Sequence, residues 1–419
     1  MVLEIKISNF FSIKDEVTLD FRAAPIKSAQ SRALSDNIFE YGKGSVLKTV
    51  AIYGANASGK SNIIKAIRFC HAMVFRSHQH NLDTVFNFMP FRFDGFENKP
   101  SSYFIRFVSN GVEYEYAFSL TRKQIITESL HYYPKGRITK VFTRDERLGK
   151  TKKEKYSFGE QIKRPMDVAE NTSEKTLFIS RASQMDRELA REVFNYFHNT
   201  FILRHIGYVG AHIESLVNNN KKQVIEALKI ADSDIIDVKI RLLKRPVKNI
   251  NANRDTLTLS IEDAVENNFQ IKTYHKPNPE LAFDFLTEES QGTIKFFFIL
   301  LTLLDVVKNN KVLLFDEMEA SMHPRIIEYI INLFNSGNQA QLIFTTHNTH
   351  LLDVKKLRKD QVYFTNKLTD GSTDLYSLYD YSDFRDTMDM EKAYMQGRFD
   401  AVPIVNESTE KLKKLFHGE

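Results

Sequence analysis

Two glycines, a lysine and a serine in the stretch AIYGANASGKSNIIKAI, residues 51–67, stand at the spacing G-x-x-x-x-G-K-[ST] and could hold the phosphates of a nucleotide. Gly54 and Gly59 permit a tight turn, so that successive N–H groups across Ala55, Asn56, Ala57 and Ser58 point into one concavity at the positive end of the next helix. Lys60 adds a mobile positive charge for the β- and γ-phosphates, the Ser61 hydroxyl is placed to ligate Mg2+, and Asn62 completes the nucleotide-binding stretch. A glycine-rich turn without a ligand is the alternative. The order of apolar strand, loop and periodic helix favours the phosphate cradle.

Far downstream, in KVLLFDEMEASMHP, Val312 to Phe315 read as a strand buried on both faces that ends in Asp316 and Glu317. Acids at the carboxyl end of a central parallel strand sit where open α/β sheets bind ligands. Asp316 can hold Mg2+ through water, and Glu317 can polarise an attacking water as general base. Just before this strand, Ser290, Gln291, Gly292 and Thr293 precede an apolar helix whose N-terminus is a second anion site or simply a serine N-cap. After it, QLIFTTHNTHLLD reads as another buried strand ending in His347, which could hydrogen-bond a γ-phosphate or the attacking water. A structural histidine, or a metal pair with His350, are the alternatives for that residue.

The elements that must position these groups follow from periodicity. VLEIKISNFFSIKDEVTLDF, residues 2–21, alternates with period two about a turn and predicts a hairpin. SSYFIRFVSNGVEYEYAFSLT predicts a second hairpin about Asn110 and Gly111, continued by IITESLHYY, with a turn at PKGR. The charge-dense residues 144–164 read as a loop or ragged edge, residues 174–229 as mostly helical, and DIIDVKIRLL and DTLTLSIED as strands. The expected division is 1–80 for the first part of a nucleotide-binding core, 81–145 for an antiparallel β lobe and 146–230 for a helical insertion. Residues 231–360 then make the second part of the core, and 361–419 a hairpin and helix. With 419 residues and 42% hydrophobic content a large core is available. No run approaches the ~18 apolar residues of a membrane span, so no membrane partner is expected. The single cysteine, Cys70, forms no internal disulfide and suits a cytoplasmic setting, as a small buried hydrophobe or a reactive thiol. A net charge of +5 permits a nucleic-acid partner without implying one.

Taken in order, the cradle at 54–61, Ser290 and Gly292, the strand ending at Asp316 and Glu317, ASMHP and His347 resemble an ABC-type P-loop ATPase. Within that class the chain is similar to the stand-alone bacterial ATPases related to the OLD nucleases, the PARIS, Rlo and Abi ATPases of anti-phage and abortive-infection systems. PFRFD at 90–94, YPKGR at 133–137 and AYMQGRFDAVP at 393–403 share in the likeness. The resemblance implies an α/β fold with a mixed central sheet, an antiparallel β lobe and a helical insertion, and ATP and Mg2+ as ligands. It also implies that Glu317, His347 and Lys60 are catalytic, and that Ser61 and Asp316 hold Mg2+. Residues 290–293 would be the signature loop acting in trans, and Ser321 and His323 would lie in the D-loop at the dimer interface. The signature departs from L-S-G-G-Q, with Gln291 for the first glycine and Thr293 for the glutamine, and no Q-loop glutamine is evident.

The function so implied is an ATP-hydrolysing sensor or switch. Its partners would be a second copy in an ATP-sandwich dimer or higher oligomer, a separately encoded effector such as a Toprim-type nuclease, and a phage-derived trigger. No nuclease carboxylate pattern is seen in this chain. The alternative is a DNA-binding recombination or repair ATPase resembling RecF, in which KKEK at 152–155 and RLLKRPVK at 241–248 touch phosphates. Either cluster can equally be a solvated face. An inert ATP-binding scaffold is a third reading, to which a general base such as Glu317 would be superfluous.

Overall fold

Strands β1 (Val2–Ser8) and β2 (Val17–Asp20) are the antiparallel pair that the opening alternation predicts, with Ile5, Ile7, Val17 and Leu19 buried. A short helix α1 (Ala29–Ala33) and a small hairpin, β3 (Ile38–Tyr41) with β4 (Gly44–Leu47), lead to β5 (Thr49–Gly54), every residue of which is buried. Helix α2 (Lys60–Arg76) follows after five residues. Next come β6 (Ser101–Ser109), β7 (Val112–Leu120), β8 (Ile125–Tyr133), β9 (Thr139–Asp145), a short α3 (Lys152–Lys155) and β10 (Tyr156–Phe158). These strands extend the opening hairpin into one antiparallel sheet of order β10-β9-β8-β7-β6-β1-β2. Asn110 and Gly111, at φ 48° and 77°, form the β6–β7 turn, the positive-φ pair that a two-residue hairpin requires.

The computed structural model describes residues 1–202, 213–253, 258–319, 322–336, 339–385 and 387–402. Residues 203–212 of the expected helical segment, 255–257 of an expected strand, Ser321 and Pro403 lie outside the described residues.

The charge-dense stretch, expected to be a loop or ragged edge, is loop at 146–151 and 159–164 but also supplies the end of β9, α3 and the outermost strand β10. Its first residue, Arg144, is fully buried. It donates to Glu146 Oε1 (2.8 Å) and to the carbonyls of Thr176 (2.7 Å) and Ser173 (3.0 Å), and lies 3.7 Å from Glu128. Glu128 in turn accepts from the Tyr116 hydroxyl and the N–H groups of Phe178 and Ile179 at 2.6–3.0 Å. Burial raises the Glu128 pKa, and Arg144 opposes that rise. Two charges survive inside because every partner is supplied. Those partners come from β7, β8, the segment 173–176 and the start of α5 (Phe178–Gln184), which local charge density cannot reveal.

Helices α4 (Pro165–Glu170), α5 and α6 (Glu188–Thr200) precede β11 (Phe201–Ile202). The chain then forms a second unit, Arg204–Asn309 and Glu319–Ile330, before completing the first, Met1–Leu203, Asn310–Met318 and Ile331–Glu419. In the second unit, α7 (Ile213–Asn219) and α8 (Lys221–Ala231) lead into β12 (Ile235–Asn253). It runs antiparallel to β13 (Thr258–His275), from Ile235↔His275 to Asn253↔Thr258. This ribbon is far longer than its alternating runs suggest. At its root β14 (Asn278–Asp284) adds a third strand, followed by α9 (Phe285–Glu288) and the apolar α10 (Gln291–Lys308). Phe285 packs its ring 4.8 Å from that of Phe297 and joins α9 to α10.

The first unit resumes with β15 (Val312–Phe315), and α11 (Pro324–Asn335) precedes β16 (Gln341–Thr345), β17 (Val362–Lys367), β18 (Thr373–Ser377) and α12 (Met390–Met395). Its second sheet has the order β11-β15-β16-β5-β17-β18, parallel throughout except for β18. The short apolar runs VLLF and QLIFT suit strands covered on both faces. The fold is therefore α/β, with a mixed central sheet and a separate antiparallel sheet, as expected. Gln341, wholly buried, exchanges hydrogen bonds with the Val2 backbone and donates to the Leu47 carbonyl, linking the two sheets. Tyr394 and Phe399 of the closing segment stack on Phe364 at 5.7 and 5.0 Å, and Tyr394 meets Tyr53, just before Gly54. No described helix is long and apolar enough to cross a membrane.

Candidate nucleotide site

The cradle forms where β5 gives way to α2. Gly54 and Gly59 adopt φ 153° and 111°, and α2 begins at Lys60. A Cβ at Gly54 would collide with Thr365 Oγ1 and lie 2.6 Å from the Thr365 carbonyl oxygen. At Gly59 it would collide with the Thr373 side chain. Both positions thus demand glycine for space, and Gly59 also for conformation. Ala57 is itself left-handed at φ 63°, so the intervening loop is held in an unusual shape. Asn56 and Ala57 are exposed at the rim, Ala55 is half-buried, and Ser58 is buried with its hydroxyl 2.6 Å from Thr365 Oγ1.

Lys60 is buried and donates from Nζ to the carbonyls of Gly54 (2.8 Å) and Ala55 (2.9 Å), inside the loop it serves. Ser61 Oγ donates to Asp316 Oδ1 at 3.1 Å, so residues 255 apart in sequence meet at the C-terminal ends of β5 and β15. A hydroxyl facing a carboxylate is a hard-oxygen donor pair that suits Mg2+, which takes few protein ligands and completes its shell with phosphate and water. Among the described residues no group of three or more His, Cys, Asp or Glu could hold a metal ion.

A residue that the sequence reading missed completes the acidic end. Thr345, fully buried at the end of β16, donates to Asp316 Oδ1 at 2.6 Å and accepts from the Glu317 N–H at 2.8 Å. The Met318 N–H bonds the Thr345 carbonyl at 3.1 Å. Glu317 itself is left-handed, φ 53°, and exposed. One hydroxyl therefore holds the Asp316 carboxylate and fixes the backbone of Glu317. The available signal was a hydroxyl residue closing an otherwise apolar buried strand.

The cradle is also clasped from outside. Asn62, expected among the nucleotide-binding residues, donates to Ser12 Oγ in the β1–β2 turn (2.7 Å). Ser12 Oγ lies 2.7 Å from Thr373 Oγ1, which donates to the Ser58 carbonyl at 2.9 Å. Lys14 bridges Asp94 (2.7 Å) and Asp370 (2.9 Å), and those carboxylates raise its pKa. The PFRFD motif thus serves to anchor the opening turn.

His347 lies two residues beyond the end of β16 and is exposed, with Thr346 still bonded to the Ile52 carbonyl. His350 faces Glu391 at 3.6 Å. In the second unit Ser290 is the N-cap of α10: its Oγ accepts the Thr293 N–H (3.1 Å) and lies 2.8 Å from Thr293 Oγ1. Gln291 is exposed, Gly292 half-buried and Thr293 buried. His323 precedes α11, and its Nδ1 accepts the Arg325 N–H at 3.2 Å. The KKEK cluster is capped by Thr151 and Glu154. Lys152 donates to the Thr172 carbonyl and Lys155 to Glu146, so two of its three lysines are engaged within the chain.

Among solved structures, the chain is similar to an SmcHead bound to the C-winged helix domain of ScpA, at 15% identity over 94% of this chain and 99% of that one, TM-score 0.42. It is also similar to the SMC head domain from Thermotoga maritima, at 16% identity over 90% and 98%, TM-score 0.39. No curated protein matches it. The family model described as "AAA domain, putative AbiEii toxin, Type IV TA system" matches residues 50–353, from the strand that carries the cradle to beyond the acidic pair and His347. That match covers well over half of the 419 residues, and the chain belongs to this family of P-loop ATPase domains.

Proposed function

We propose that this ATPase is the Mg2+-dependent switch subunit of a bacterial anti-phage, abortive-infection system, acting in the cytoplasm like the ATPases related to the OLD nucleases. In response to a phage-derived trigger it controls a separately encoded effector such as a Toprim-type nuclease. The observation that carries the hydrolytic part is the meeting of Ser61 and Asp316 at 3.1 Å beside the glycine cradle, with Glu317 next in the chain. The family description, which speaks of a toxin of a type IV system, and the motif likeness to abortive-infection ATPases support the rest. On this reading the nucleotide machinery occupies 1–80 and 231–360, the β lobe (81–145) and the helical insertion (146–230) carry recognition, and the closing hairpin and helix (361–419) pack on the core.

The backbone N–H groups of residues 55–59 bind the phosphates, and Lys60 exchanges its loop carbonyls for β- and γ-phosphate oxygens. Ser61 and Asp316 would hold Mg2+, which when bound neutralises charge on the transferring phosphoryl group. Glu317 orients the attacking water and takes its proton, and His347 hydrogen-bonds the γ-phosphate. The partner protomer's 290–293 loop contacts that same phosphate, with Ser321 and His323 at the dimer seam. Binding energy at the γ-phosphate favours the closed dimer, and hydrolysis releases it.

Light scattering on Glu317→Gln with and without Mg-ATP tests the switch. A mass that doubles only with Mg-ATP is expected, and an unchanged mass in both conditions refutes ATP-driven closure.

A further inference from the structure

Glu289 stands immediately before Ser290, and its side chain is only 6% exposed. Its carboxylate takes no part in capping α10, which Ser290 does alone. Instead it accepts from Thr273 Oγ1 and lies 2.9 Å from His275 Nε2. Both partners belong to the last three residues of β13, at the root of the long ribbon with β12. They are themselves fixed: Thr273 is wholly buried, and the His275 ring packs 4.8 Å from Phe283 on β14. On the other side, α9 is tied to α10 by Phe285 against Phe297. One buried carboxylate thus bolts the ribbon to the residue that starts the 290–293 loop. Removing it would leave the buried Thr273 hydroxyl and the half-buried His275 ring without their acceptor, a strong reason for it to hold its place.

We propose that Glu289 is a positioning residue for ATP hydrolysis. Through Thr273 and His275 it sets the 290–293 loop against the nucleotide held by the partner protomer, and it couples the β12–β13 ribbon to that nucleotide. This rests on the reading of that loop as acting in trans. Movement of the ribbon displaces Glu289 and, one peptide later, Ser290, so anything that grips the ribbon alters turnover without touching the cradle.

The test uses the full chain. Glu289→Ala is expected to lower kcat by roughly tenfold or more, as loss of hydrogen bonds to a charged acceptor would, while affinity for a fluorescent ATP analogue at protomer-dilute concentration stays within about twofold. Glu289→Gln, which keeps an acceptor oxygen, recovers most of the rate. Thr273→Val with His275→Phe, which removes both donors, reproduces the defect should Glu289→Ala fail to fold. The decisive readout is mixing Glu289→Ala with Lys60→Ala chains. Each mixed dimer then holds one intact composite site, and random exchange restores about a quarter of wild-type activity in a closed two-fold dimer. Ser290→Arg mixed with Lys60→Ala is the companion. Restoration by both mixtures supports the proposal. Restoration by the Ser290 mixture alone, or unchanged kcat in Glu289→Ala, overturns the role of Glu289 and leaves the trans reading standing. Restoration by neither overturns the trans reading, and the proposal with it.

Discussion

Replacing Thr345 by valine leaves the side-chain volume nearly unchanged but removes the hydroxyl at a wholly buried site, and the methyl that replaces it cannot approach Asp316 as closely, so the carboxylate is also pushed aside. The hydroxyl donates to Asp316 at 2.6 Å, a bond to a charged acceptor worth about 1.5–3 kcal/mol. It also accepts the Glu317 N–H at 2.8 Å, a bond worth about 1 kcal/mol, which roughly offsets the ~1–2 kcal/mol of a left-handed non-glycine residue at φ 53°. Without it Glu317 relaxes toward ordinary backbone angles, and the side chain proposed as the base leaves its place. If about half of the ~3 kcal/mol total bears on the transition state, kcat falls at least tenfold, with ~100-fold as the upper expectation. KM should move by less than about threefold, because the Gly54–Ser61 cradle is untouched, the signature of a lost transition-state interaction. Phosphate release at saturating Mg-ATP, with equilibrium binding of an ATP analogue, measures both. Thr345→Ser, which restores the hydroxyl, should return kcat to within about threefold. A valine variant that keeps wild-type kcat, or a serine variant as impaired as valine, refutes the argument that this hydroxyl sets the base.

Gly59→Ala places a Cβ into the Thr373 side chain at φ 111°, so ATP-analogue affinity by calorimetry should drop by more than about tenfold. Adding Thr373→Ala removes the closest of the colliding atoms but not the strain and should recover only part; wild-type affinity in Gly59→Ala alone would contradict the cradle. His71 is held near pKa 4, chiefly by burial, and its Nε2 lies 3.1 Å from the Phe197 carbonyl oxygen. The unfolded chain, with histidine near 6.5, therefore binds the proton first as pH falls. Stability contributed by the neutral ring is complete above pH 6.5 and is lost between 6.5 and 4, by about 2 kcal/mol at pH 5. Urea unfolding at pH 7 and pH 5 should show a smaller acid loss in His71→Phe than in the natural chain, and equal losses would disprove the assignment.

Much of the fold was legible because it is written in short-range patterns. Period-two alternation marked β1, β2, β6, β7 and β8, and Asn110-Gly111 marked a turn whose positive φ values those residues tolerate. Unbroken apolar runs marked β15 and β16 as doubly covered strands. The reading of 144–164 as a loop or ragged edge fits residues 146–151 and 159–164 and the outermost strand β10, but it missed the buried Arg144, because charge density reports solvation only when partners are absent, and Arg144 finds Ser173, Thr176 and Glu128 from elsewhere in the chain. The β12–β13 ribbon was underestimated because cross-strand pairing, rather than alternation, carries it to Asn253↔Thr258.

What the sequence determined unaided was the chemistry on offer: a glycine-bounded loop with Lys60 and Ser61, an acidic pair closing a buried strand, and their order along the chain. Spacing within a few residues dictates backbone turns and strand ends directly, so these could be read in place. Which groups meet was decided only by tertiary structure. Ser61 reaches Asp316 across 255 residues, and Ser12 reaches Thr373 across 361. Thr345 takes Asp316 and the Glu317 N–H, and Glu289 takes Thr273 and His275. A hydroxyl or carboxylate carries no mark of its partner in its neighbours. Only sheet order and helix packing bring two such groups within hydrogen-bonding distance, and burial then makes each contact matter, since an unmatched polar group inside the protein is costly.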